Sequence, residues 1–293
     1  MKYNEFKNIL NVTIFEKSKL DLITKVAKYS NRYIGLFRPT KPKAKILQNL
    51  LQSNEIRFGD AFEKIIEKYL IESGYNILQN KMVDINGNKL NIDHFFKKEE
   101  SYYFVEQKIR DDHDSSKKRG QINNFEKKLN LIIEKFGDDN LIGFFYFIDP
   151  NLTKNKNYYD TELLSMQNDY GLKLINCYGK EFFEELKIPQ KWDEIIEHLK
   201  KWKSELPELP EINFDKNAEN TFNEIKDLSP NIYRKLFSND EIFKQIVKTL
   251  FPQDEVLNLL INYFKTKKRK IYRTIVKLIE KQLNKKQNNK LQF

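Results

Sequence analysis

One cysteine, three histidines and nine glycines in 293 residues leave several kinds of chemistry without material. A lone Cys177 excludes an internal disulfide framework and any cysteine-based zinc site. It reads most simply as a small buried strand residue, and with no histidine near it in sequence it makes a poor nucleophile. His94, His113 and His198 are scattered, which argues against a histidine-rich metal centre. No apolar run reaches the roughly eighteen residues that a membrane span requires, and the N-terminus has no apolar core of the signal-peptide kind. Neither a membrane span nor a signal peptide is therefore expected, and the expected location is the cytoplasm. Phosphate-binding glycine loops, the nucleophile-elbow serine pattern, the zinc-protease helix and the dinucleotide fingerprint are all missing, as are internal repeats.

What is present is globular and basic. Hydrophobic residues make up 40% of the chain and aromatics 13%, enough to bury a core. The net charge of +10 favours a polyanionic partner such as nucleic acid, although heavy use of lysine is also what an AT-rich coding sequence produces. At this length one large or two modest domains are expected.

The chemistry concentrates between Asn91 and Lys108, NIDHFFKKEESYYFVEQK. Read as two neighbouring strands, the alternation of side chains puts Tyr102, Phe104, Glu106 and Lys108 on one face, and Tyr103, Val105, Gln107 and Ile109 on the other. With Asp93 across from Glu106, two carboxylates and an ammonium converge. Two hard carboxylates suit Mg²⁺, which keeps waters and accepts phosphate oxygens, and a lysine beside it can orient a water or stabilise developing charge. The plainer reading is a solvated strand edge, because a carboxylate two residues from a lysine recurs by chance where 32% of residues are charged.

These residues resemble the D-x(n)-[D/E]-x-K signature of the PD-(D/E)xK nuclease superfamily, as Asp93, Glu106 and Lys108, with Ile92 where the pattern often has proline. The longer run EQKIRDDHDSSKKRGQ is similar to the segment of type II restriction endonucleases in which the E-x-K strand leads through an acidic and then Ser/Lys/Arg-Gly-Gln loop into a helix. The resemblance covers residues 57–136. It implies Asp93 and Glu106 as Mg²⁺ ligands, Lys108 as the residue that positions or activates the attacking water, and products with a 5′-phosphate and a 3′-hydroxyl. Such nucleases often take a further acidic residue from the preceding helix. Glu63, at the border of the apolar face Phe58, Phe62, Ile65, Ile66, Tyr69 and Leu70, matches in kind, while a surface carboxylate is its plainer reading.

Around this stretch, residues 1–56 read as mostly helical, with a break at Pro39 and Pro42, and a second helix follows over 57–73 up to Gly74. Strands are expected near 75–85, 88–96 and 101–110, the first two joined by a hairpin at Asn86-Gly87. The segment 111–121 reads as a loop whose Ser115, Ser116, Lys117, Lys118, Arg119 and Gln121 could contact phosphates or base edges. His113 in that loop is more simply a salt-linked group than a general base. A helix with Ile122, Phe125, Leu129, Ile132, Ile133 and Phe136 on its apolar face follows. Further strands are expected at 141–149 and 171–179, separated by a loop at NLTKNKNYYD, and then come two short helices.

Pro207 and Pro210 mark a linker, beyond which the pattern is helical to the end, with the last ten residues frayed. In the last helix Arg269, Arg273 and Lys277 recur every four residues on one face, suited to a duplex backbone or major groove, or simply to solvent.

The expected architecture is thus α/β: a PD-(D/E)xK core with a central mixed sheet flanked by helices at 57–205, a helical N-terminal segment at 1–56, and a helical, basic DNA-binding domain at 206–293. The expected activity is that of a site-specific type II restriction endonuclease acting on double-stranded DNA with Mg²⁺. A structure-specific repair or junction-resolving nuclease is the nearest alternative, and a non-catalytic nucleic-acid-binding protein the alternative from another class. A palindromic target would imply a homodimer and an asymmetric one a monomer. A restriction enzyme also implies a companion DNA methyltransferase acting on the same site.

Overall fold

Helical periodicity at both ends of the chain and short aromatic and β-branched runs in its middle set the order of elements. The computed structural model describes residues 1–83 and 87–290, with side chains through Lys285. Four helices come first, α1 (Tyr3–Phe15), α2 (Ser18–Lys28), α3 (Asn31–Ile34) and α4 (Pro42–Glu72). Five strands follow, β1 (Asn76–Ile77), β2 (Lys81–Val83), β3 (Lys89–Asn91), β4 (His94–Lys98) and β5 (Ser101–Lys108). Then come α5 (Ser115–Phe136), β6 (Leu141–Phe147), α6 (Lys156–Tyr170), β7 (Lys173–Tyr178), α7 (Lys180–Glu185) and α8 (Gln190–Ser204). The remainder is helical: a 3₁₀ turn at Phe214–Asn217, α9 (Ala218–Ile225), α10 (Pro230–Phe237), α11 (Asp240–Ile242) running through a π-helical turn into α12 (Lys248–Leu250), α13 (Glu255–Lys265) and α14 (Lys270–Lys290). No helix among the described residues is long and apolar enough to cross a membrane.

Packing divides the chain into two compact units, Met1–Leu10 with Gly59–Leu206 and Asn11–Phe58 with Pro207–Phe293. The first holds a five-stranded sheet in the order β1-β4-β5-β6-β7. The β1–β4 and β4–β5 pairs are antiparallel, and β5–β6 and β6–β7 are parallel. A mixed central sheet flanked by helices is the α/β arrangement expected from the sequence. The two parallel pairs need crossovers, and α5 and α6 supply them. Both helices pack on one face of the sheet, where Ile122, Phe125 and Leu129 of α5 and Tyr159 and Leu163 of α6 meet Phe104, Phe145, Phe147 and Leu174. On the other face Tyr103 stacks on Phe96, and Tyr146 stacks on Phe182 of α7 with centroids 4.5 Å apart.

The second unit is all helical. Val26, Ile46 and Leu50 share a core with Tyr233, Ile246, Leu257, Phe264, Ile275 and Ile279. Within it the buried Asp215 carboxylate accepts the backbone N–H groups of Gln253 (2.8 Å), Asp254 (3.0 Å) and Val256 (2.9 Å), satisfying donors that the start of α13 would otherwise leave unpaired.

Several local expectations need correction. The helical stretch expected at the end of 1–56 and the second helix expected over 57–73 are one 31-residue helix, α4. Its only glycine, Gly59, is tolerated at a cost of about 1 kcal/mol relative to alanine. The segment expected as a three-stranded meander is split between two sheets, because β2 pairs with β3 while β1 and β5 pair with β4. Asn86 of the expected Asn86-Gly87 turn lies outside the described residues. The presumed loop at 111–121 is helical from Ser115, since the Asp114 carboxylate caps α5 by accepting from Lys117 N at 2.8 Å. The presumed loop at 151–160 is likewise helical from Lys156. At the C-terminus α14 continues through Lys290, beyond the point where fraying was expected, and 291–293 lie outside the described residues.

Candidate active site

The antiparallel register of β4 and β5 pairs His94 with Val105, so continuing it by one residue sets Asp93 opposite Glu106. The ladder ends there for a chemical reason. Asp93 Oδ2 accepts the backbone N–H of Gln107 at 2.8 Å, taking the donor that a continued strand would give to a backbone carbonyl. One residue on, the chain has turned away, and Ile92 N donates to Asn80 O beside the β2–β3 pair.

Glu106 is 2% exposed, and a buried carboxylate must be paired to remain charged. Lys108 Nζ donates to Glu106 Oε1 at 2.7 Å and lies 3.4 Å from Asp93 Oδ2. It also donates to Gln107 O at 2.7 Å, a bond that fixes the side chain. A second lysine enters from α5. Lys128, 5% exposed, makes a short contact with Glu106 Oε2 and lies 3.5 Å from Asp93 Oδ1. Two carboxylates thus face two ammoniums, and Asn124, one turn before Lys128, adds a 3.5 Å contact to Glu106 Oε1.

Burial alone would lower the pKa of Lys108, but Glu106 and Asp93 outweigh it and the net shift is upward. Lys108 is therefore a cationic donor at neutral pH, equipped to orient a water or a phosphate oxygen. Glu63 on α4 is pushed the other way, up to about 7, by burial and then by the nearby charges of Asp93 and Asp60, with Lys108 and Lys128 opposing. It lies within electrostatic reach of the pair. Among the described residues, however, no group of three or more His, Cys, Asp or Glu is arranged to hold a metal, so the carboxylates gathered by direct contacts are Asp93 and Glu106.

On the opposite face of β5, Gln107 is buried, receives His94 Nε2 at 2.9 Å and reaches the carbonyl of Gly59 on α4 at 3.5 Å. Burial holds the His94 pKa down, with the Gln107 hydrogen bond opposing. Because its folded pKa lies below the unfolded value of about 6.5, stability from this group is fully present above that pH and is lost as pH falls below it. Glu63, with its raised folded pKa, changes stability in the opposite direction over much of the same range. We therefore expect the effect in a comparison: between pH 7 and 5, His94→Gln loses less stability than the unmodified chain, by up to about 1.4 kcal/mol per pH unit. Denaturant midpoints at pH 7.5, 6.5 and 5.5 measure it, and parallel curves would mean that His94 does not titrate on unfolding.

The acidic segment after β5 is structural. Asp111, fully buried, accepts from Asn155 N (2.7 Å), Asn155 Nδ2 (2.8 Å) and the Tyr178 hydroxyl (3.0 Å), anchoring the approach to α6. Ser115, Ser116, Lys117 and Arg119 are exposed on the first turns of α5. Lys118 sits over the Tyr158 ring at 4.3 Å, and Gln121 accepts the Tyr159 hydroxyl at 2.6 Å. Arg269, just before α14, and Arg273 and Lys277 on it are exposed, opposite Ile275, Val276 and Ile279 in the core of the second unit.

The sequence reading missed Lys128 and Asn124. The signal for Lys128 was its position, three residues after Phe125 and four before Ile132, within the buried stripe of α5.

The family model for the HinfI type II restriction endonucleases matches this chain over residues 2–88 and 72–203. No curated protein and no solved structure was found to match. The matched range takes in Glu63, Asp93, Glu106, Lys108 and Lys128 and stops before the helices of 207–293. Matched over well more than half of its 293 residues, the chain belongs to the HinfI family of type II restriction endonucleases, which cleave DNA at specific sites.

Proposed function

We propose that this enzyme hydrolyses phosphodiester bonds of double-stranded DNA with Mg²⁺, as a PD-(D/E)xK nuclease whose signature residues are Asp93, Glu106 and Lys108. One observation carries the reading: a lysine ammonium, that of Lys128, is shared between the Asp93 and Glu106 carboxylates. A position between two hard oxygen donors that already draws a cation fits a divalent metal. Asp93 and Glu106 would hold it, and Glu63 would support the shell from α4. Bound there, Mg²⁺ would polarise the phosphodiester and make a coordinated water more acidic. Lys108 would orient the attacking water and offset charge developing on the phosphate.

Ser115, Ser116, Lys117, Lys118, Arg119 and Gln121 on α5, and Arg269, Arg273 and Lys277 at α14, are proposed as DNA contacts. Arg273 and Lys277 have the exposure such contacts require, whereas Lys118 and Gln121 would exchange their tyrosine partners. The nuclease core is assigned to 57–205 and recognition to 206–293. A companion methyltransferase in the same cytoplasm completes the reading, with a two-fold dimer if the target is palindromic and a monomer if it is asymmetric.

Incubating mixed-sequence linear duplex with the enzyme, in magnesium or in chelator, and sequencing the fragment ends tests this. Discrete ends sharing one motif, carrying 5′-phosphates and appearing only with magnesium, are expected. Products unaffected by chelator would remove the metal from the reading. Random ends would move the activity to a repair-type nuclease, and intact DNA with binding retained would leave a binding protein.

A further inference from the structure

Between Asp21 and Glu55 the chain carries seven lysines and arginines and no carboxylate. At the centre of this acid-free stretch, at the turn after α3, Leu36 is 89% exposed and Phe37 98% exposed. Two adjacent large apolar side chains standing fully in water form a contiguous apolar patch of the kind that contact surfaces use. We propose that the Leu36–Phe37 turn is a DNA wedge, an apolar tip that lodges against the bases of the duplex while the basic side chains around it take the phosphates. This rests only on DNA being the substrate and is independent of the metal site.

Glycine, two prolines and basic residues surround the tip. A Cβ at Gly35 would stand 2.7 Å from the carbonyl oxygen of Asn31, so only glycine lets the chain leave α3 so tightly. Pro39 and Pro42 then fix backbone angles on the return, which lowers the entropy lost when the turn is immobilised. At its base, the Arg32 guanidinium and Lys28 ammonium lie over the Tyr29 ring, 4.4 Å and 5.2 Å from its centroid. Arg38, Lys41 and Lys43, which follow the tip in sequence, are exposed.

This chemistry selects the occupant. Nucleic acid offers a phosphate backbone for the cations together with base faces for Phe37, and apolar wedges of this kind unstack base steps. A second copy of the chain is disfavoured, because a two-fold contact would set the same carboxylate-free segment against itself.

The test uses the full chain on a duplex without magnesium. The double variant Leu36→Ser/Phe37→Ser should bind about 10- to 100-fold more weakly, with the slope of affinity against salt unchanged because no phosphate contact is lost. Phe37→Trp should retain binding, whereas Lys41→Glu/Lys43→Glu should lower the salt slope. A photoreactive p-benzoylphenylalanine in place of Phe37 should crosslink to a nucleobase. Unchanged affinity in the double-serine variant, or absence of a base crosslink, would overturn the wedge. So would a loss of self-association in that variant by sedimentation, or its loss of binding to anionic phosphatidylserine vesicles with DNA affinity intact. Repeating the binding assay with Glu106→Gln separates this inference from the site assignment, since binding through the tip does not need Glu106.

Discussion

Glu106→Gln abolishes cleavage, with a rate loss of at least about 10³-fold, while the protein still folds and binds duplex DNA. The amide keeps the volume of the side chain and an oxygen acceptor for Lys108, but it removes the negative charge by which this position would hold a cation. Asp93 alone would then have to hold the metal, and one carboxylate is a weak claim on an ion that gives up its waters reluctantly. The charge balance also shifts, since Lys108 and Lys128 would face a single carboxylate. Some loss of stability therefore accompanies the loss of activity, and rates must be compared well below the variant's melting temperature. DNA affinity measured without metal should stay within a few-fold of the unmodified enzyme or improve slightly, because a negative charge near the phosphates is gone. A variant that cleaves at a tenth of the normal rate or better would mean that Glu106 is not a metal ligand. Asp93→Asn provides the companion measurement, and similar losses from both would assign the pair to one function.

The juxtaposition of Asp93 and Glu106 was legible because strand alternation and a short turn are local properties, and the register His94–Val105 follows from them. The end of the ladder at Asp93 was not legible, since it depends on a side-chain carboxylate displacing a backbone acceptor. Helix starts were misplaced wherever the N-terminal turn is polar, as at Ser115 and Lys156, because solvated first turns have a loop's composition. Lys128 was passed over for a related reason. A lysine in a helix is read as surface until something shows that its neighbours are buried and a carboxylate waits for it. The grouping of residues 11–58 with 207–293 depends on contacts between distant parts of the chain, such as Ile46 and Leu50 in one core with Leu257 and Ile275, and no local pattern encodes that.

Lys128→Met lowers folding stability in chelator by about 3–5 kcal/mol and makes the remaining stability strongly dependent on divalent metal. Methionine preserves much of the length and packing of lysine on α5 but leaves Glu106, 2% exposed, with Lys108 as its one remaining cationic neighbour among these groups. Asp93 and Glu106 would then share a single ammonium, and a buried negative charge left without its own partner is the costly case, more so than replacing both partners of a pair. Two carboxylates facing one ammonium should also attract a divalent cation more strongly than the present balanced set. A ligand that binds only the folded state stabilises it in proportion to the logarithm of its concentration over its Kd. Adding magnesium should therefore raise the melting temperature of Lys128→Met by several degrees more than that of the unmodified chain. The double variant Lys128→Met/Glu106→Gln should recover part of the stability lost in the single variant and lose the enhanced magnesium response, because the uncompensated carboxylate is gone. Thermal melts of the three proteins in chelator and across a magnesium series decide the matter. If Lys128→Met melts like the unmodified chain in chelator, the ammonium does not balance Glu106. If it is destabilised but indifferent to magnesium, the cation-sharing pair is not where the metal binds, and the site assignment fails with it.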